Sequence, residues 1–144
     1  MKKIFIILLL TIATILPTFA TNWVQTGKKC YIDTDTIEPF VDDYGKVVPN
    51  QYSYWAKGLN DGNQFLRNVE KRLNKKIWYM LSKRVIDVNR KAHAYKTTAV
   101  YDLKGNCICT YEEKSVLMEW QSIIPNSVGD VEYEIIKEYI QQRR

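Results

Sequence analysis

The chain is poor in the residues that carry most catalytic and metal chemistry. Histidine occurs once, at His93, and cysteine three times, at Cys30, Cys107 and Cys109. A nucleophile–base arrangement on a single histidine needs a serine beside it, and the neighbours Asp87, Tyr95 and Thr97 include none. A four-ligand zinc site from His93 and the three cysteines fails on reach. If Asp102-Leu103-Lys104-Gly105-Asn106 turns one strand into the next, Tyr101 faces Cys107, and His93 lies roughly 26 Å further along at about 3.3 Å per residue. Adjacent carboxylates such as Asp42-Asp43 and Glu112-Glu113 sit in turn-like or strand-end segments, where solvated charge explains them. These shortages point away from an enzyme, a metal centre and a bound cofactor. Charge of one sign is also scarce: without Lys2 and Lys3, 19 Lys and Arg face 16 Asp and Glu. That surplus is small for a nucleic-acid partner. Beyond residue 20 no apolar run is long enough to cross a bilayer, and no repeat or low-complexity stretch appears.

What the chain does have begins with an export signal. Lys2 and Lys3 precede an apolar run from Ile4 to Leu16, Pro17 breaks it, and Thr18-Phe19-Ala20 offers small residues for cleavage after Ala20. The expectation is a removable segment at 1–20 and one folded domain at 21–144, enough for a single core. Hydrophobic residues at 46% and aromatics at 12% exclude disorder. No cysteine stands at the new N-terminus to take a lipid. The exported chain is therefore expected in the periplasm, at the cell surface or secreted, with no anchor of its own. Under oxidising conditions the odd cysteine count leaves one over. Cys30 can bridge to Cys107 or Cys109 if their strands are neighbours; the alternatives are buried inert thiols and a redox or intermolecular role.

Periodicity favours strands. Cys30–Ile37, Gln51–Lys57, Ile77–Val88, Ala92–Tyr101 and Cys107–Tyr111 read as strands, with turn chemistry at Asp42-Asp43-Tyr44-Gly45 and at 102–106. Phe65, Leu66, Val69 and Leu73 follow helical spacing and predict a short helix from about Gln64 to Leu73, showing Arg67, Asn68, Lys71 and Arg72 to water. After Pro125, Ser127 predicts the N-cap of a terminal amphipathic helix with Val128, Val131, Ile135, Ile136 and Tyr139 on its apolar stripe. Gly129 weakens that helix's first turn by up to about 1 kcal/mol relative to Ala. The fold class expected is α+β: a bent antiparallel sheet with a short helix and a C-terminal helix packed on one face.

Tyr31-Ile32-Asp33 with Thr36-Ile37, Tyr54-Trp55-Ala56-Lys57, Ile86-Asp87, Val100-Tyr101-Asp102 with Gly105, and Trp120 followed by Ile124-Pro125-Asn126-Ser127 resemble, in that order, the surface-adhesin E family. The resemblance covers most of residues 23–139. It implies an exported bacterial protein with a bent antiparallel sheet, a C-terminal helix held on the concave face, homodimers as one assembly, and recognition of host extracellular-matrix and plasma proteins. An envelope structural or interaction protein without a host partner is the alternative. Two departures stand out. The family pairs a Cys after the Ile-Asp with one in the last helix; here Val88 follows Asp87 and the last helix has no Cys. The family's namesake is a lipoprotein, and this signal offers no lipid-accepting Cys.

The basic and aromatic residues are the candidates for a binding surface. Lys75-Lys76, Lys83-Arg84 and Arg90-Lys91 bracket the hairpin of residues 77–101, whose strands also carry Trp78, Tyr79 and Tyr95. Lys83, Arg84, Arg90 and Lys91 are the expected contact residues for a protein partner. The plainer reading has the aromatics filling the core while the charges solvate it.

Overall fold

The computed structural model describes residues 22–143; the export segment expected at 1–20 lies outside them. Six strands follow one another as an antiparallel meander: β1 (Trp23–Gly27), β2 (Cys30–Val41), β3 (Val47–Leu59), β4 (Ile77–Asp87), β5 (Ala92–Asp102) and β6 (Cys107–Glu112). A two-residue strand, β7 (Gln121–Ser122), pairs with the start of β5. Helix α1 (Gln64–Leu73) joins β3 to β4, a 3-10 turn spans Ser115–Leu117, and helix α2 (Val128–Gln142) closes the chain. This is the α+β class read from the sequence, with two short strands, β1 and β7, that periodicity did not announce.

The same local chemistry closes two of the hairpins. The Asp42 carboxylate accepts from the amides of Tyr44 and Lys46, and the Asp102 carboxylate from those of Lys104 and Asn106, all at 2.9 Å. Three residues after each aspartate a glycine takes positive φ, +78° at Gly45 and +82° at Gly105, where a Cβ is disfavoured. The second turn sets Tyr101 opposite Cys107, the register the sequence implied.

Strand alternation divides the side chains between two faces. On the concave face α2 covers Ile32, Tyr54, Ala56 and Ile86 with Ile136, and α1 covers Ile77 and Val100 with Leu66 and Val69. Each aliphatic side chain buried this way contributes about 1.5–3 kcal/mol. On the opposite face Met118 and Trp120 cover only one end, over Phe40, Val85 and Ala94. Helix α1 begins as its sequence suggests, Asn63 accepting from the Leu66 amide at 3.0 Å, although Phe65 is 44% exposed and lies edge-on to Tyr111 instead of in the core.

Helix α2 is capped by Ser127, whose Oγ accepts from the Asp130 amide at 3.2 Å. Ile135, Ile136 and Tyr139 of the expected stripe pack on the sheet, while Val128 and Val131 are exposed and Glu132 joins Ile136 at the centre of the contact. Gly129 has a packing reason, since a Cβ there would stand 3.3 Å from Cε1 and Nδ1 of His93.

The condition for a Cys30 bridge is not met. Cys30 lies on β2 and Cys107 and Cys109 on β6, with β3, β4 and β5 between them, and all three thiols are free. Helix α2 is instead held by charge. Arg84 Nη1 donates to both oxygens of Glu132 at 2.8 Å, and Tyr54 OH donates to Glu132 Oε2 at 2.8 Å. Arg84 also donates from Nε to Ser82 at 3.2 Å, and its guanidinium lies 5.0 Å from the Tyr95 ring. All of this is buried, Arg84 at 7% exposure and Glu132 at 1%. Burial pushes the Tyr54 hydroxyl well above its ordinary pKa, and the Glu132 carboxylate adds to the shift. For Arg84 burial is the largest single influence and acts downward, but Glu132, Tyr95 and Tyr54 together outweigh it and the guanidinium stays charged.

Candidate functional site

The part of the sheet that neither helix covers is the convex face toward its α1 end. Its rows run Asp33, Trp55, Lys83, Thr97, Glu112; then Tyr31, Lys57, Leu81, Ala99, Thr110; then Leu59, Tyr79, Tyr101, Cys107. Trp55, Lys57, Tyr79, Lys83 and Tyr101 are all half-buried, held by their neighbours but open to solvent.

A β-bulge builds the centre of this face. Ile77 pairs with Asp102 and Tyr79 with Tyr101, so Trp78 is an extra residue in β4. The bulge lets Ile77 turn into the core at 3% exposure while Trp78, 48% exposed, shares the outer side with Tyr79. The two rings meet edge to face at 5.2 Å, and Tyr79 stacks on Tyr101 across the strands at 4.6 Å with 10° between planes. Lys57 Nζ lies 4.5 Å from the centre of the Tyr79 ring and 5.9 Å from that of Trp78. A cation over such rings is worth about 0.5–1 kcal/mol at an exposed site, enough to bias the lysine toward the rings. The result is a rigid aromatic platform bearing one positive charge. It suits contact with an extended partner surface, since Tyr and Trp supply large areas at little conformational entropy.

The four basic residues expected to make one binding patch are divided by the fold. Lys83 faces outward, paired with Glu38 at 3.1 Å. Arg84, one residue on, points to the opposite face and is sealed under α2, so it is not available to a partner. Arg90 is exposed at the β4–β5 turn with its guanidinium 5.3 Å from the Trp120 ring. Lys91 reaches the first turn of α2, 2.9 Å from Asp130 and 5.0 Å from the Tyr133 ring. Tyr95 likewise belongs to the covered face, whereas Trp78 and Tyr79 do stand outside. Sequence reasoning gave Trp55, Lys57 and Tyr101 no contact role, although they stand in two of the motifs quoted for the resemblance; the pairing register brings those two motifs together.

Beneath α2, His93 lies edge-on to Tyr95 at 6.0 Å, and its Nδ1 has no hydrogen-bond partner among the described residues. Burial, and then the Arg84 charge, hold its pKa below the ordinary value. Burial also raises the Cys30 thiol, which disfavours the reactive thiolate. No group of three or more His, Cys, Asp or Glu able to hold a metal ion occurs among the described residues. Nor is any helix there long and apolar enough to cross a membrane.

An antiparallel sheet with a C-terminal helix packed on one face is the architecture that the surface-adhesin E resemblance implied. Solved structures share it. Haemophilus influenzae protein E is similar with a TM-score of 0.54 and 18% identity over 87% of this chain and 92% of that one. Its crystal form II gives 0.54 and 15% over 85% and 94%. Protein E from non-typeable Haemophilus influenzae gives 0.51 and 16% over 87% and 82%. No protein-family model matches the chain, and no curated protein matches it by sequence. At these identities what is shared is the fold.

Proposed function

We propose that this chain is an exported, non-catalytic binding protein that recognises host extracellular-matrix or plasma proteins through the uncovered face of its sheet. The observation that carries the reading is the platform of Trp78, Tyr79 and Tyr101 under Lys57, large apolar area held rigid at the surface with no part in the core. The fold shared with Haemophilus influenzae protein E supports a binding protein of this class. Lys83 sits at the margin of this face, and Arg90 and Lys91 lie outside it.

The test is saturable binding of the exported protein to immobilised matrix and plasma proteins at physiological salt, with heat-denatured protein as control. Trp78→Ala and Lys57→Ala are expected to weaken binding at least tenfold while leaving the melting temperature within a few degrees. Wild-type binding that both variants retain in full would reject the platform as the site. No binding to any matrix or plasma protein would reject the function.

A further inference from the structure

The uncovered face ends at a strongly basic rim. Two open depressions meet there, of about 410 Å³ and about 380 Å³, and they share Lys75 and Lys76. Arg67 and Lys71 from α1 line the first, and Lys104 from the β5–β6 turn lines the second. The sequence spreads these five cations over 38 positions; the fold sets them along one continuous track. Two carboxylates also line it, and both are occupied by the backbone. Glu70 accepts from the Ile77 amide at 3.0 Å and from Asn60 at 3.3 Å, and Asp102 accepts from the amides of its own turn. Lys71, Lys75 and Lys104 have no ion-pair partner among the described residues, and Lys76 only a long contact of 3.8 Å with Glu70. By contrast, the depression along α2 is lined by Asp130, Glu134 and Glu138 against one lysine. The molecule's small positive surplus is thus concentrated at one end.

We infer that this rim binds a linear sulfated polysaccharide. Cations along a track match fixed negative charges repeated along a chain, and their release of counterions supplies the affinity. The amide side chains of Asn74 and Asn106 in the same track can hydrogen-bond sugar hydroxyls. Nucleic acid fits less well, because neither depression is lined by an aromatic ring on which bases could stack. This inference extends the proposed function, resting on it for the extracellular setting in which such chains occur.

The experiment measures binding of the exported protein to a heparin oligosaccharide, its desulfated form, polyglutamate, a single-stranded oligonucleotide and phosphatidylglycerol vesicles across a salt series. Heparin is expected to bind best and the desulfated form at least tenfold more weakly. Lys75→Ser/Lys76→Ser/Lys104→Ser should weaken heparin binding at least tenfold and reduce the log–log salt slope by about two to three. Lys137→Ser on α2 should change neither, and circular dichroism should show all variants folded. Equal heparin binding by the triple variant, or tighter binding to the oligonucleotide, polyglutamate or vesicles, would overturn the inference. Matrix proteins stripped of their glycosaminoglycans separate the two readings. Binding to stripped proteins without binding to heparin refutes the rim and leaves the platform standing; the reverse refutes the platform and leaves the rim.

Discussion

Replacing Glu132 by Ala would leave the Arg84 guanidinium buried under α2 without its counter-ion and the Tyr54 hydroxyl without the carboxylate that accepts from it. Three hydrogen bonds at 2.8 Å end on that carboxylate, and the partners it would abandon are almost wholly out of solvent. Removing one member of such a pair costs about 3–5 kcal/mol, because the remaining charge is buried and uncompensated. For a domain of this size, total stability is on the order of 6–15 kcal/mol, so the variant should lose about a fifth of it or more. The pair itself need not be strongly stabilising. Arg84→Met/Glu132→Leu fills a similar volume without charge and should recover most of the loss. Urea denaturation of wild type, Arg84→Met, Glu132→Leu and the double variant gives the coupling energy, expected at about 2 kcal/mol or more. If Glu132→Ala costs under about 1 kcal/mol, Arg84 has reached water and α2 is not clamped by charge.

His93 should make stability depend on pH. Its folded pKa lies below the ordinary 6.5, so the unfolded chain takes up the proton first. Its contribution is present in full above pH 6.5 and is lost as pH falls from there through the folded pKa. His93→Gln should flatten the denaturation midpoint between pH 7 and pH 5, and an unchanged slope would show that another group titrates. Thiol titration of unreduced, denatured protein should count three free thiols, and in the native state Cys107, the exposed one, should be modified before Cys30. A peptide linking Cys30 to Cys107 or Cys109 by disulfide would contradict the strand order.

Much of the fold is written locally. Strand alternation, the Asp-x-x-Gly turns, the Ser127 cap and the helical spacing in 64–73 depend on neighbours a few residues apart, and these were legible. Strand β1 was too short to show a period, and β7 exists only because β5 offers it an edge. The buried charge at the centre of the α2 contact carried one readable sign, a lone Glu132 between Val128 and Ile136 at helical spacing. A charge on that side needs a buried partner, and the sequence does not say which.

By itself, then, the sequence determined an α+β domain of antiparallel strands with a short helix and a Ser127-capped terminal helix, because those features follow from backbone propensity and composition. Which side each side chain serves was decided only by tertiary structure. Arg84 and Lys83 are adjacent in the chain, yet one clamps a helix and the other faces water. Arg84 and Glu132 are 48 positions apart and share two hydrogen bonds. Register and the bulges at Trp78 and Lys96 set these outcomes, and both are properties of strand pairs, so no single segment encodes them.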